Sequence, residues 1–252
     1  MIVMKNRVQE RIQNSRVSEP KASELENFKD VCVVIPAFNE ERMIGAVIDD
    51  VHAQGYDNVV VVDDGSEDAT VRIALEKGVV VLQHPINRGQ GAALKTGTAY
   101  ALGQNAGIIV HFDADGQMQP RDIQKLVEPI RKGRAQVSFG SRFMNKQSNI
   151  PPLRRLLLRG GRIFMRVMYG VTMTDPQSGF RAMDAHAAQT IAITQRGMAH
   201  CSEIIDEVHR KNISFCEVPV VIKYTTYSVT HGQDNFAAFR IAAKLLWRRM
   251  IR

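Results

Sequence analysis

Short, almost wholly apolar runs alternate along the chain with longer segments whose apolar residues recur every three or four positions. The runs are rich in valine and isoleucine, which is typical of strands buried on both faces of a parallel sheet. The periodic segments are typical of helices that pack one face on such a sheet. The pattern predicts strands at Val31–Pro36, Asn58–Val62, Val79–Leu82, Ile108–Phe112 and Gln136–Phe139. It predicts helices at Glu41–Ala53, Asp68–Glu76, Gln90–Leu102 and Asp122–Arg131.

The regular alternation of strands and helices predicts an α/β fold, with a mostly parallel, doubly wound sheet flanked by helices. A chain of 252 residues, 44% of them hydrophobic, is long enough to bury one large core. We predict one compact domain over residues 29–222. The polar residues 1–28 form an extension before it, and residues 223–252 form a loop and a basic amphipathic helix after it.

Polar residues follow four of the predicted strands, at the point where each strand ends. Because the carboxyl ends of parallel strands meet at one edge of a sheet, these residues are expected to form one site. They are Asn39 and Glu40, Asp63 and Asp64, Asn87 and Arg88, and Asp113 and Asp115.

Asp113 and Asp115 are separated by a single alanine at the end of a buried strand. One carboxylate there could be a turn residue or a helix cap, and Pro120 suits the start of the next helix. Two carboxylates so close repel each other, which indicates a cation that neutralises both. Hard divalent cations take oxygen ligands, so the two carboxylates suit such an ion.

Asp64 ends a predicted strand in Val60–Ser66 and is free, on the sequence alone, to accept hydrogen bonds from a nucleotide base or ribose. The alternative is that Asp64 or Ser66 caps the next helix. The segment Asn87–Gly97 is glycine-rich but matches neither phosphate-loop pattern, because Leu94 stands where each requires glycine. Its backbone at a helix start, with Lys95 one turn in, is still expected to bind a diphosphate.

Together these segments resemble the inverting nucleotide-sugar glycosyltransferases of family 2. The resemblance covers about residues 31–222 and implies an A-type, Rossmann-like glycosyltransferase fold, with residues 29–222 as the catalytic domain. The last two of its six motifs point to the branch of dolichyl-phosphate mannose synthases and polyprenyl-phosphate glycosyltransferases. The motifs are Val34–Glu41, Val61–Ser66, Asn87–Gly91, Asp113–Gln117, Gly140–Phe143 and Asp175–Arg181.

The resemblance also implies roles for individual residues. The ligands of Mg²⁺ or Mn²⁺ would be Asp113, Asp115 and Gln117. Asp113 and Asp115 form the DXD motif of such enzymes. The nucleotide-sugar pocket would comprise Pro36, Phe38, Glu40, Val62, Asp64, Lys95, Asp113 and Ala114. The catalytic set would be Asp115, Arg142, Asp175 and Arg181.

Two of these catalytic residues are arginines, and a guanidinium suits a phosphate because it binds two oxygens at once. Arg142 is the first candidate for that contact and Arg181 the second, although Arg142 alone could equally be a surface residue. Asp175 either orients an arginine or the acceptor, or caps the turn at Pro176.

The net charge of +7 is concentrated in two segments. Ten basic residues and no acidic one lie between Ile130 and Thr174, and a second unopposed basic segment runs from Asn235 to the end. Helices predicted at Pro152–Gly170 and at 236–250 place arginines beside apolar residues, which suits peripheral contact with an anionic membrane. The alternatives are packing on the core or on a second copy in a homodimer. Nucleic acid is not an expected partner, because the basic segments lack interleaved aromatics.

The expected donor is a GDP-mannose or UDP-glucose type sugar, and the expected acceptor a polyprenyl phosphate at the cytosolic face of the membrane. A phosphate monoester is already ionised near neutral pH and needs no general base. A saccharide hydroxyl would need one, and Glu203 or Asp206 could supply it. Residues Tyr224–Asn235 replace an Arg and a Gly-x-Ser-Lys element that many members of the branch carry. No apolar run reaches the ~18 residues of a membrane span.

Overall fold

The structure is a computed structural model that describes residues 28–144, 147, 148, 150, 152–170, 172–197 and 199–224. The extension predicted at 1–28, except for its last residue, lies outside the described residues. So does the basic helix predicted at 236–250. Among the described residues, no helix is both long and apolar enough to cross a membrane.

Seven strands form one sheet in the order β3-β2-β1-β4-β6-β5-β7. Every neighbouring pair is parallel except those of β6, which runs antiparallel to both β4 and β5. The strands are β1 (Val31–Ala37), β2 (Val59–Asp63), β3 (Val80–Gln83), β4 (Ile108–His111), β5 (Val137–Ser141), β6 (Arg181–Asp184) and β7 (Phe215–Pro219). The predicted α/β class and mostly parallel sheet are confirmed, and no end of the five predicted strands differs from the observed one by more than two residues.

Helices cover both faces of the sheet. They are α1 (Ile44–His52), α2 (Thr70–Glu76), α3 (Gln90–Gly103), α4 (Ile123–Arg131), α5 (Pro152–Tyr169), α6 (Ala185–Thr190) and α7 (His200–Arg210). The helix predicted from Glu41 begins at Ile44, because the N–H groups of Met43 and Ile44 both turn back to the Glu40 carbonyl. This turn keeps Glu40 in the loop at the carboxyl end of β1.

The core has two parts, one on each side of the sheet. Alternate residues of β1 enter them: Val33 packs with α1, α2 and α4, whereas Val34 packs with α3, α6 and α7. Both faces of β1 are therefore buried, as its uninterrupted apolar sequence predicts.

Strands β6 and β7 and helices α6 and α7 have no counterpart among the predicted elements. Strand β6 has only four residues and begins with an arginine, so no apolar run marks it. Strand β7 is partly exposed along its whole length. In the sheet, β6 places Arg181 directly opposite His111, the last residue of β4. This pairing brings the second half of the chain to the strand end that precedes Asp113.

Candidate active site

The loops that follow β1, β2 and β4 meet at one edge of the sheet. The strand register pairs Ala37 with Asp63 and Val34 with His111, so these three strands end side by side. Antiparallel β6 starts at the same edge with Arg181. The polar clusters that the sequence places after separate strands therefore lie in one region.

Asp113 and Asp115 lie in a tight turn after β4. The Gln90 side-chain amide donates to Asp113 Oδ1 at 2.7 Å, and the Gln117 N–H donates to Asp115 Oδ1 at 3.0 Å. Gly116 adopts a φ of 71°, the left-handed conformation that lets the chain turn sharply between Asp115 and Gln117. Burial, and then repulsion by Asp115, raise the pKa of Asp113 to about 7. Cation binding should therefore weaken as pH falls below about 7, because Asp113 becomes protonated.

These residues fit a divalent cation bound together with a diphosphate. Mg²⁺ and Mn²⁺ take one or two carboxylates and complete their coordination with phosphate oxygens. A Cβ on Gly179 would lie 3.0 Å from Asp113 Oδ2, so glycine leaves that oxygen room for a ligand. Across the described part of the chain, no group of three or more histidine, cysteine, aspartate and glutamate side chains could hold a metal ion by itself.

Asp64 is buried and holds the loop after β3. Its Oδ1 lies 2.7 Å from His84 Nδ1 and accepts from the Arg88 N–H at 3.0 Å, while its Oδ2 accepts from the Gly89 N–H at 2.6 Å. The sequence suggests that Asp64 is free to bind a nucleotide. In the structure its carboxylate is already hydrogen-bonded to the protein itself. The alternative of a helix cap is wrong for Asp64 and Ser66, since α2 begins at Thr70 and Ala69 occupies its N-cap position.

The glycine-rich segment packs on protein rather than presenting free amides. The N–H groups of Gly91 and Ala92 donate to the Arg196 carbonyl, at 2.7 and 3.3 Å. A Cβ on Gly89 or Gly91 would collide with the carbonyls of Arg196 or Gln195. The expectation that these amides bind a diphosphate is therefore wrong, because the loop before α7 already occupies them.

Lys95 is the one predicted pocket residue that lies within a helix, α3. It is exposed, and it precedes by two residues Gly97, whose Cα packs against Val34 and Val62 on the sheet. Residues two apart lie on nearly opposite sides of a helix, so Lys95 faces away from the sheet.

Arg142 and Asp175 form a buried ion pair at the end of β5, with side chains 8% and 1% exposed. Asp175 Oδ2 accepts from Arg142 Nε at 2.6 Å and from its backbone N–H at 3.0 Å. Arg142 Nη1 donates to the Tyr224 hydroxyl at 2.7 Å. Burial lowers the pKa of Arg142, but Asp175 and Tyr224 outweigh burial and raise it above its usual value. The alternative of a surface arginine is therefore wrong.

Glu217 on β7 holds Asp175 in turn. Its carboxylate accepts from the backbone N–H groups of Thr174 and Asp175, at 2.8 and 3.0 Å, and from the Thr174 hydroxyl at 2.8 Å. Glu217 thus holds the backbone of Asp175, and the Asp175 carboxylate in turn holds Arg142. This matches the predicted role of orienting an arginine.

Arg181 is wholly buried. Its Nη2 lies 3.2 Å from His200 Nε2 and 3.4 Å from Cys201 Sγ, and its Nε donates to the Gly179 carbonyl at 3.2 Å. Among the described residues, its Nη1 has no hydrogen-bond partner. Arg181 therefore lies beneath the carboxylate turn, in the interior, rather than at a solvent-facing phosphate position.

The sequence matches the family model described as glycosyl transferase family 2 over residues 32–191. The chain belongs to glycosyl transferase family 2. It is 32% identical over 243 residues to the UDP-N-acetylglucosamine–dolichyl-phosphate N-acetylglucosaminyltransferase of Methanococcus voltae, covering 88% of this chain and 97% of that protein. It is 30% identical over 201 residues to the undecaprenyl-phosphate mannosyltransferase of Micrococcus luteus, covering 75% and 82% of the two chains.

A solved structure supports the fold. Glucosyl-3-phosphoglycerate synthase from Mycobacterium tuberculosis, in complex with Mn²⁺ and UDP-glucose, matches with a TM-score of 0.68 at 23% identity, covering 89% of this chain and 80% of that one. The predicted family, its polyprenyl-phosphate branch, the A-type fold and nucleotide-sugar glycosyltransferase activity are confirmed.

This family 2 glycosyltransferase places most of its predicted pocket residues at the one sheet edge. Pro36 and Val62 are buried and paired between β1 and β2. Phe38, just after β1, is 44% exposed. Glu40 donates its N–H to the Thr70 hydroxyl at 2.8 Å. Ala114 and Gln117 are buried beside the carboxylates. Their contacts with a donor stay predictions.

Three residues with defined contacts in this family 2 site were missed by the sequence analysis. They are Gln90, which contacts Asp113, Glu217, which holds Asp175, and Tyr224, which contacts Arg142. Gln90 had a signal, since it opens a helix that follows a polar loop. Glu217 and Tyr224 had none, because their partners are distant in sequence and lie in elements without a clear pattern.

Proposed function

We propose that this chain transfers a hexose, with inversion, from a nucleoside-diphosphate sugar of the GDP-mannose or UDP-glucose type to a polyprenyl phosphate. The reaction would use Mg²⁺ or Mn²⁺ at the cytosolic face of a membrane. The observation that carries the acceptor class is that basic helix α5 adjoins the loop of the Arg142–Asp175 pair. The side-chain amide of Gln177 lies against Gly161 of α5. The backbone carbonyl of Gln177 accepts from Arg142 Nη2 at 3.4 Å.

The donor side of the proposal rests on the carboxylate turn. Asp113 and Asp115, with Gln117, would hold the cation, which neutralises charge on the departing nucleoside diphosphate. An oxygen of the lipid phosphate attacks the anomeric carbon as the bond from that carbon to the diphosphate oxygen breaks. The Mn²⁺ and UDP-glucose bound in the related M. tuberculosis fold support a divalent cation here.

The contacts of Glu203 argue against the alternative of a saccharide hydroxyl acceptor. Its carboxylate accepts from the N–H groups of Thr194 and Gln195, at 2.9 and 2.8 Å, and from the Thr194 hydroxyl. Asp206 lies almost a turn further along α7 and faces Arg210 at 3.9 Å. Neither carboxylate is placed as a general base beside Asp113. An ionised phosphate acceptor requires none.

A donor and acceptor panel tests this function. Radiolabelled GDP-mannose, UDP-glucose and UDP-N-acetylglucosamine are each incubated with the protein and Mn²⁺ or Mg²⁺, with a short polyprenyl phosphate. Parallel reactions contain the matched polyprenol without phosphate or a soluble saccharide. We expect label from one donor to enter the lipid phosphate alone. Label entering the saccharide would favour the alternative, and no transfer from any donor would contradict the proposal.

Helix α5 presents two neighbouring exposed stripes. Arg155, Arg159, Arg162 and Arg166 recur at the spacing of one helix face, and all four are exposed. Leu156 and Ile163 lie about a quarter turn away and are 66% and 62% exposed. A basic stripe beside an apolar one suits a helix lying in the headgroup region of an anionic membrane. We therefore include peripheral membrane contact in the proposed function.

Replacing Arg155 and Arg162 with glutamine should weaken binding to anionic vesicles by about tenfold or more, since each basic residue contributes about 1 kcal/mol. Co-sedimentation with vesicles of phosphatidylcholine and phosphatidylglycerol in equal parts measures this, with pure phosphatidylcholine for comparison. The matched control replaces exposed Lys29 and Arg72 with glutamine, which removes equal charge elsewhere. Equal binding by both double variants would refute the contact. A change in sedimentation coefficient of the α5 variant alone would indicate a homodimer surface instead.

A further inference from the structure

Gln90 is the first residue of α3, and its side chain points to the carboxylate turn after β4. Its amide donates to Asp113 Oδ1 at 2.7 Å, and no other side chain of the described residues donates a hydrogen bond to that carboxylate oxygen. A donor on one oxygen fixes the rotation of the carboxylate and leaves Oδ2 toward Gly179. The orientation of Asp113 therefore depends on where α3 begins.

The start of α3 is held by the loop that joins α6 to α7. The Arg196 carbonyl accepts from the N–H groups of Gly91 and Ala92, two of the amides that a helix start leaves without partners. Glycines at positions 89 and 91 allow this approach, since a Cβ on either would collide with the loop. The position of Gln90 is thus set by a loop about a hundred residues further along the chain.

Glu203 holds that loop from the opposite side. Its carboxylate accepts from both backbone N–H groups of Thr194 and Gln195, directly before Arg196. His200 Nδ1 lies 3.0 Å from the Gly197 carbonyl and closes the other end of the loop. Both Glu203 and His200 belong to α7, so one helix fixes the loop at its two ends.

We propose that Gln90 is a positioning residue for Asp113, and that Glu203 positions Gln90 through the loop of residues 194–197. The chain of contacts runs from the Glu203 carboxylate to the Arg196 carbonyl, to the first turn of α3 and to Asp113. The inference rests on the proposed function only in taking Asp113 as a cation ligand. It assigns Glu203, a candidate general base by sequence, a structural part in the cation site.

Gln90→Leu tests the first contact, because it removes the amide and keeps a side chain of comparable bulk. Mn²⁺ binding to the protein is measured in the presence of UDP or GDP, from the free-ion signal in electron paramagnetic resonance, with the same nucleotide without protein as the blank. We expect the Mn²⁺ dissociation constant to rise about tenfold, the lower end of the effect of losing a partner of a metal ligand. The matched control is Gln104→Leu, an exposed glutamine just past the other end of α3, which should leave Mn²⁺ affinity unchanged. If Gln90→Leu does not fold, Gln90→Asn, with its shorter reach, replaces it.

Glu203→Gln tests the second contact, because an amide accepts fewer of the loop N–H groups than a carboxylate does. We expect faster hydrogen exchange at the amides of Thr194, Gln195, Gly91 and Ala92, and weaker Mn²⁺ binding. The pH dependence of sugar transfer should keep its shape. A general base would give the opposite result, which is loss of the acid limb of the pH profile with unchanged exchange and Mn²⁺ affinity.

The outcomes separate this inference from the proposed function. Equal Mn²⁺ affinity in wild type and Gln90→Leu would overturn the positioning role and leave the transferase proposal intact. A wild type that binds Mn²⁺ but transfers no sugar would contradict the proposed function and leave the positioning test readable. A wild type that binds no Mn²⁺ would overturn both.

Discussion

Asp115→Asn should reduce sugar transfer on the order of a thousandfold, the size of effect seen when one group that stabilises developing charge is removed. Asparagine keeps the shape of the side chain and its carbonyl oxygen still accepts from the Gln117 N–H. It also relieves the repulsion that helps raise the pKa of Asp113. The fold should therefore remain, and the unfolding midpoint without a cation should stay the same or rise.

Three measurements check this expectation: initial rates of transfer, urea unfolding and Mn²⁺ binding across pH. The raised pKa of Asp113 means that the cation-free fold binds more protons than the unfolded chain between the ordinary aspartate pKa of 3.8 and about 7. The stability of the cation-free protein should thus fall as pH rises through this window, and Mn²⁺ should restore it. In Asp115→Asn the upper end of the window should move to lower pH, because the repulsion by Asp115 is gone.

Asp57→Asn is the matched control for Asp115→Asn, because Asp57 is exposed and precedes β2 at the opposite edge of the sheet. It should change neither the rate nor Mn²⁺ binding. Undiminished transfer by a folded Asp115→Asn protein would show that this carboxylate takes no part in the reaction.

Asp175→Ala should lower the free energy of unfolding by about 3–5 kcal/mol, because it leaves the buried Arg142 charge without its partner. The Glu217 contacts to Thr174 and Asp175 backbone N–H groups survive the substitution, so the loss comes from the ion pair and from the hydrogen bond that the Arg142 N–H donates to Asp175. Urea unfolding with linear extrapolation measures the change.

Two variants control for this effect. Asp206→Ala removes a carboxylate whose exposed pair with Arg210 spans 3.9 Å, and should cost less than about 1 kcal/mol. The double variant Arg142→Met, Asp175→Ala removes both charges and should recover part of the loss, since no buried charge then remains alone. A double variant less stable than Asp175→Ala would mean that Arg142 contributes mainly through Tyr224 and Gln177.

The parallel half of the fold could be predicted from sequence because its strands are buried on both faces. Uninterrupted valine and isoleucine runs such as Val59–Val62 leave little room for another interpretation. Strand β6 could not be predicted in this way. Its length of four residues and its buried Arg181 break the apolar pattern, and its placement depends on pairing with β4, some seventy residues earlier. Sequence order does not carry that information.

For the site, sequence indicated which residues gather but not what each one contacts. Asp113 and Asp115 meet in one turn because only Ala114 separates them in the chain. The uses of Asp64 and of the glycines at 89 and 91 depend on loops from distant parts of the chain, which occupy the groups that the sequence assigned to a ligand. The role of Glu203 also depends on a loop that it contacts. A carboxylate that holds a loop cannot be distinguished by sequence from one that removes a proton.

Strand β6 also sets a distance. It lies between β4, which ends before Asp113, and β5, which ends before Arg142. Neighbouring strands are about 4.8 Å apart, so the axes of β4 and β5 are separated by roughly 9.6 Å. The backbones that carry the carboxylate turn and the Arg142–Asp175 pair are therefore held apart by the width of β6. Loss of β6 would remove this spacing together with the Arg181 side chain that the strand places at the same edge of the sheet.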